Sequence, residues 1–157
     1  MNRPFHCLFL SILGFAALSG KASATGFNAC ANHFAGGLRP AIVGDVSAGS
    51  VRELCASGHA VLHSARTRGA LYSAEHLTRD RIRSAKRIAR TNSFRADDRL
   101  PASERAELSD YSRSGFDRGH LAPNGDMPDE TAQSESFMLS NIVPQDPASN
   151  RHLWSDI

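Results

Sequence analysis

A block of charged side chains set between glycines is the feature of this sequence that most restricts its fold. The stretch GFDRGHLAP, residues 115–123, places Asp117, Arg118 and His120 within four positions. Burying such groups without partners is unfavourable. The block must therefore lie at an exposed turn or at a site where charge is needed, and the remaining chain must fold around it.

The chain is long enough for one domain with a modest core. It has 157 residues, of which 41% are hydrophobic and 22% are charged, and these values are typical of a globular protein. Two β-prone runs, residues 60–63 and 70–77, flank a turn at Gly69 and predict an antiparallel hairpin. A further short strand is expected at residues 41–46.

Helix signals occur in the middle of the chain. Thr78 is placed to cap a short helix within residues 78–90. A second helix is expected over residues 129–139, packed by Phe137 and Leu139. The stretch NIVPQDPAS, residues 141–149, contains two prolines and is expected to be mostly irregular.

The last residues predict one more helix. Ser149 is placed to cap it, and Trp154 is expected to lie in the core because a large aromatic ring favours burial.

The first 24 residues have the pattern of a secretory signal. A basic Arg3 precedes an apolar run at residues 7–18, and the small-residue ending ASA predicts cleavage after Ala24. The alternative is a retained N-terminal anchor. The expected mature domain, residues 25–157, is secreted or periplasmic and has no stable membrane association. Its two cysteines, Cys30 and Cys55, most simply form one disulfide.

Charge is unevenly distributed along the expected mature chain, although its net charge is near zero. Residues 79–99 carry eight Lys or Arg and three Asp, whereas residues 117–157 carry two Arg and seven acidic residues. The basic stretch, including Arg79, Arg81, Arg83 and Arg87, is suited to phosphates. A solvated helix face is at least as good an explanation for a charge run alone.

Side chains in and after the charged block supply the parts needed to hydrolyse a phosphodiester. A histidine such as His120 is mostly a free base at neutral pH. Arg118 presents a charged fork that matches phosphate geometry, and Gly119 leaves room for a close substrate backbone. Asn150 offers a neutral oxygen to a hard cation such as Mg²⁺. From these residues alone, a surface histidine beside a turn is the commoner explanation.

Four ordered blocks resemble one known family. GFDRGHLAP is followed by FMLSNIVPQ and then by SNRHLW, and RTNSFRADD precedes them at residues 90–98. Together they resemble the DNA/RNA non-specific endonucleases, a family that includes secreted bacterial nucleases and mitochondrial endonuclease G. The resemblance implies an α+β fold of the ββα-metal (His-Me finger) type, an antiparallel sheet with flanking helices.

The resemblance also implies site roles. His120 would be the general base, and Asn150 the single direct protein ligand of Mg²⁺, or of Mn²⁺ in its place. Arg118 and Arg90 would stabilise phosphate charge, and Asn141 would support the site by hydrogen bonding to His120 or to metal-bound water. DNA and RNA would be the substrates, and an inhibitor protein remains open as a partner.

The sequence departs from the family pattern in two ways. A supporting Glu normally lies eight residues after the metal-binding Asn, which here would be one position beyond Ile157, and a further C-terminal segment is expected after it. Two hypotheses follow: a nuclease, or a truncated, non-catalytic nucleic-acid-binding remnant of one. Asp117 is expected to brace its loop rather than to contact substrate.

Overall fold

The computed structural model describes residues 26–43 and 50–154, and these residues form an α+β fold with two antiparallel sheets. The predicted signal segment lies outside the described residues. So does half of the strand predicted at 41–46, and residues 41–43 have no regular structure. In the described part of the chain, no helix is long and apolar enough to cross a membrane.

The larger sheet contains the predicted hairpin. Its strands are β1 (Val51–Cys55), β2 (Ala60–Ser64) and β3 (Gly69–Ala74), in the order β1-β2-β3. Pairing of β2 with β3 confirms the hairpin, although β3 ends three residues earlier than predicted. Strand β1 was not predicted from the sequence.

The central strand β2 is buried on both faces. Ala60 and Leu62 pack with Phe27, whereas Val61 packs with Leu100 on the opposite face. Because side chains alternate between the faces of a strand, an uninterrupted apolar run fits a strand covered on both sides.

A 3₁₀ helix, Gly26–His33, covers one face of this sheet. Within it, Cys30 forms a disulfide with Cys55 on β1, which confirms the predicted pairing. The bridge spans 25 positions and joins the N-terminal segment to the edge of the sheet.

Removing this disulfide is expected to lower the free energy of unfolding by about 3 kcal/mol, because the unfolded chain loses a loop constraint. Urea unfolding of the Cys30→Ser/Cys55→Ser double variant, compared with the oxidised wild type, measures the effect. An unchanged midpoint and slope would contradict the prediction.

The smaller sheet pairs β4 (Asp117–His120) with β5 (Ile142–Gln145). The prediction that residues 141–149 are mostly irregular was wrong for β5. Leu121 N–H donates to the Asn141 carbonyl at 3.0 Å. Hydrogen-bonded pairs alternate along an antiparallel ladder, so Pro144, opposite Arg118, occupies a position where no N–H is needed. This edge strand therefore tolerates the proline.

The described residues also form three short α-helices: α1 (Arg79–Ala85), α2 (Leu108–Tyr111) and α3 (Glu130–Ser136). Thr78 caps α1 through its side chain, as predicted, by accepting from the Arg81 N–H. The predicted helix at 129–139 is confirmed as α3, and Phe137 and Leu139 after it are fully buried.

A short π-type helix, Ser149–Leu153, follows β5 and is called the Asn150 helix below. The Asp146 side chain accepts from the Ser149 N–H, so Asp146 rather than the predicted Ser149 secures the start of this turn. Trp154 was predicted to be in the core, but 38% of it is exposed, because no buried cluster of the described residues reaches it. Because the chain runs from β4 through β5 into the Asn150 helix, the charged block on β4 and Asn150 lie close together.

Candidate active site

A groove of about 490 Å³ lies where β4 meets the Asn150 helix. Three predicted site residues line it: Arg90, Arg118 and Asn150. The other two, His120 and Asn141, are buried and are not among its lining residues. The structure thus brings the five residues into one region, where three line the groove and two are buried.

His120 ends β4 inside an aromatic enclosure. Its ring centroid lies 5.4 Å from that of Phe94 and 4.9 Å from that of Phe137, and the residue is 8% exposed. Burial, reinforced by the positive charge of Arg90, lowers the pKa of His120 to about 4. Within the described part of the chain, its buried Nε2 has no hydrogen-bond partner. His120 is therefore a neutral imidazole at pH 7 with one unengaged ring nitrogen.

Each of the two site arginines lies over one of these aromatic rings. The Arg118 Cζ is 4.2 Å from the centroid of Phe94, and the Arg90 Cζ is 5.2 Å from that of Phe137. Such stacking holds a guanidinium in place with its N–H groups in the guanidinium plane, where Arg90 Nε donates to Asn92 Oδ1 at 3.0 Å. The pair can therefore present two positive forks to an anion in the groove.

Sequence reasoning missed both rings as parts of the site. Phe137 was assigned to helix packing, and Phe94 was noted only within the RTNSFRADD block. The position of Phe94 between Arg90 and the next arginine in that block was the available signal, but only the tertiary structure shows that both rings contact His120.

Asn141 is fully buried and makes four hydrogen bonds. Its Oδ1 accepts from Ser73 Oγ at 2.8 Å and from the Ala122 N–H at 3.0 Å, and its Nδ2 donates to the carbonyls of Ala122 and Ser136. The predicted hydrogen bond to His120 is not among these four, whose partners are the backbone of Ala122, the carbonyl of Ser136 and the Ser73 hydroxyl of β3. Asn141 is accordingly a positioning residue that fixes the chain leaving the end of β4.

Asp117 connects β4 to the Asn150 helix. Its carboxylate accepts from Asn150 Nδ2 at 3.1 Å and from two Arg151 nitrogens at 2.7 Å. These hydrogen bonds, that of Arg151 first, lower its pKa to about 2. The expected bracing by Asp117 agrees with these contacts, and Asp117 also lines the groove.

The same contact determines how the Asn150 amide is oriented. An ionised carboxylate only accepts hydrogen bonds, so the atom facing Asp117 must be the amide nitrogen. The Asn150 oxygen is consequently directed away from Asp117, and the residue lines the groove. One oriented neutral oxygen suits Mg²⁺, which retains several waters and takes few protein ligands.

No group of three or more His, Cys, Asp or Glu that could hold a metal ion occurs among residues 26–43 and 50–154. A metal site built from a single amide oxygen and water would not need such a group. The donor present therefore fits a hydrated hard cation, but not a tightly enclosed site such as a four-ligand zinc centre.

Gly119 has a different role from the predicted one. A Cβ at this position would lie 2.0 Å from Gln145 Oε1 and 2.6 Å from Gln145 Cβ. The absent side chain thus accommodates Gln145 of the paired strand rather than a substrate backbone. The glycine keeps β4 and β5 packed together at the site.

The basic stretch contributes less to the groove than its charge suggests. Arg81 is turned inward and donates to the carbonyls of Gly58 and Asp126 and to the Glu75 carboxylate. Its side chain is 11% exposed, so it is structural. Of the basic residues at 79–99, Arg90 is the one that lines the groove.

Comparison with known proteins gives a consistent set of relatives. A family model described as DNA/RNA non-specific endonuclease matches residues 41–157. The chain is 40% identical over 100 residues to Nuclease C1 of Cunninghamella echinulata var. echinulata, covering 62% of this chain and 40% of that protein. It is 39% identical over 100 residues to the mitochondrial Endonuclease G of Homo sapiens, covering 63% and 33%.

A solved structure extends the similarity to the fold. One chain of a crystal structure of the EndoG/EndoGI complex matches with a TM-score of 0.60 and 30% identity. The match covers 66% of this chain and 44% of that one. The chain therefore spans less than half of the length of these relatives.

Proposed function

Because the chain belongs to the family of DNA/RNA non-specific endonucleases, we propose that it hydrolyses phosphodiester bonds of both DNA and RNA with little sequence preference. One observation carries the proposal. His120, a neutral base with an unengaged nitrogen, is enclosed by two aromatic rings that also stack with Arg118 and Arg90. A base and two phosphate-binding forks are thereby assembled beside one groove.

In the proposed reaction, His120 removes a proton from water as the water oxygen attacks phosphorus. The bond from phosphorus to the 3′ oxygen breaks and that oxygen takes up a proton from solvent, which leaves a 5′-phosphate and a 3′-hydroxyl. Arg118 and Arg90 stabilise the charge that develops on the phosphate oxygens. Opening the aromatic enclosure far enough to admit water to Nε2 is part of substrate binding, since catalytic hydrogen bonds commonly form only in the complex.

Asn150 is the residue that would hold a divalent cation, with Asp117 keeping its amide oxygen available. When bound, Mg²⁺ or Mn²⁺ would supply Lewis-acid stabilisation of phosphate charge. Contacts with phosphate carry no base information, which supports broad specificity for both nucleic acids.

Export to a secreted or periplasmic location is a further part of the proposal. It is supported by the signal-like pattern of residues 1–24 and by the Cys30–Cys55 disulfide, since structural disulfides persist in oxidising compartments. An inhibitor protein is a proposed partner, because the matched chain comes from a complex described as showing EndoG inhibition.

Plasmid cleavage by the purified protein, with Mg²⁺ and with EDTA, tests the activity. Nicking is expected with Mg²⁺ and is expected to stop in EDTA. Binding to DNA should also weaken steeply with added salt, since phosphate contacts release counterions. A folded sample that binds DNA without cleaving it in Mg²⁺ or Mn²⁺ would overturn the nuclease proposal in favour of a non-catalytic binding module.

A further inference from the structure

We propose that Phe116 is a stacking platform for an unpaired base beside the scissile phosphate, so that single-stranded or locally unpaired nucleic acid is the preferred substrate. The inference rests on the proposed function and names the substrate form favoured by the same site. Phe116 directly precedes β4. It takes no part in the proton transfer to His120 or in the phosphate contacts described above.

Phe116 is a large apolar side chain left facing solvent at the active-site groove. It is 53% exposed. It lines the main groove together with Arg90 and Arg118, and it also lines a neighbouring groove of about 290 Å³. The ring therefore forms part of the boundary between the two grooves. An exposed ring at this place offers apolar surface to whatever enters beside the arginines.

The loop that carries Phe116 is held by local hydrogen bonds. Ser114 Oγ accepts from the Phe116 N–H at 3.2 Å and donates to the Tyr111 carbonyl at 3.0 Å. Arg113 and Gly115 both have positive φ, of 57° and 82°. A left-handed Arg113 is unfavourable by itself, so the surrounding bonds must hold this loop in shape. The ring is thus presented by an ordered turn.

The charges of the groove indicate what the ring would contact. Arg90 and Arg118 favour a polyanion, and a nucleic acid strand brings bases as well as phosphates into the same space. Aromatic side chains stack on bases with little sequence preference, because every base has a π-face. Bases within a duplex are already stacked on their neighbours, so this contact is available only to unpaired nucleotides.

Binding in EDTA, where cleavage is prevented, tests the proposal. Three labelled probes are compared by fluorescence anisotropy: a single-stranded oligonucleotide, an abasic strand of equal length, and a duplex. Phe116→Ala is expected to weaken binding of the single strand by about 5- to 150-fold, the range for loss of one stacked base. Binding of the abasic strand should not change.

Two further variants separate stacking from simple apolar contact. Phe116→Tyr should restore the wild-type preference, whereas Phe116→Leu should not, because it keeps apolar volume without a ring. Leu71→Ala is the matched control: Leu71 is 48% exposed on β3 and lines neither groove. Thermal unfolding of each variant verifies the fold.

The outcomes distinguish this inference from the proposed function. Equal effects of Phe116→Ala on the intact and abasic strands, no effect on either, or wild-type binding by Phe116→Leu would overturn the stacking role. Base-dependent binding that requires Phe116, combined with no cleavage after Mg²⁺ is added, would instead support the platform and overturn the nuclease activity.

Discussion

Replacing His120 with alanine is expected to lower the rate of phosphodiester cleavage by about 10²- to 10⁴-fold while leaving DNA binding nearly unchanged. The range is that of a positioned general base. Binding should persist because Arg118 and Arg90, which would contact phosphate, are stacked on Phe94 and Phe137 respectively, rather than on His120 itself.

The measurement is plasmid cleavage under single-turnover conditions, paired with binding in EDTA. His76→Ala is a matched control, because His76 is exposed and the hydrogen bond that it accepts from Arg81 uses its backbone carbonyl. Cleavage that survives His120→Ala, or is lost equally in His76→Ala, would show that His120 is not the base.

The same residue predicts an unusual pH dependence for the wild type. Since burial lowers the pKa of His120 to about 4, the base form persists well below the usual histidine range. The acidic limb of kcat/KM should therefore lie near pH 4 rather than near 6.5. Folding stability is expected to fall at acidic pH as well. The contribution of neutral His120 to the free energy of unfolding is fully present above pH 6.5 and is lost as the pH falls through about 4.

Local patterns were sufficient to predict several elements of this fold. The hairpin of β2 and β3, the Thr78 cap and helix α3 each depend on residues close together in sequence. Strand β1 was missed because VRELC alternates poorly and is specified by pairing with β2. Strand β5 was missed because its tolerance of Pro144 depends on the ladder register.

The features of the candidate site also fall into two groups, those that the sequence predicted and those that only the structure shows. Arg118, His120 and Asn150 were identified because their residue types and spacing match a family pattern. The aromatic enclosure of Phe94 and Phe137 could not be identified in that way, since both contacts with His120 join separate parts of the chain. Contacts of this kind depend on the packed core, which side-chain type alone does not determine.

The hydrogen bond between Asp117 and Asn150 connects a prediction from the sequence with an observation from the structure. Sequence reasoning assigned Asp117 to bracing and Asn150 to metal binding, without connecting them. The structure joins them at 3.1 Å across 33 positions, and the acceptor-only chemistry of a carboxylate then fixes which amide atom remains available. A residue whose carboxylate is occupied by Asn150 and Arg151 can thereby determine which atom the neighbouring amide presents to the groove.

Replacing Asn141 with alanine is expected to destabilise the protein by about 3 kcal/mol or more, a larger effect than most single substitutions produce. The change leaves the N–H and carbonyl of Ala122 and the carbonyl of Ser136 without their side-chain partner in a buried region. Each unsatisfied buried group costs about 1–3 kcal/mol. Urea unfolding followed by circular dichroism measures the total change in the free energy of unfolding.

Ser73→Ala is the graded control, because it removes only the hydroxyl that donates to Asn141 Oδ1. Its expected cost is about 1 kcal/mol, the contribution of one hydrogen bond. If Asn141→Ala costs no more than Ser73→Ala, the buried amide is not what fixes the chain after β4. If instead the larger cost is observed and cleavage per folded molecule also falls, the end of β4 must be held in place for His120 to act.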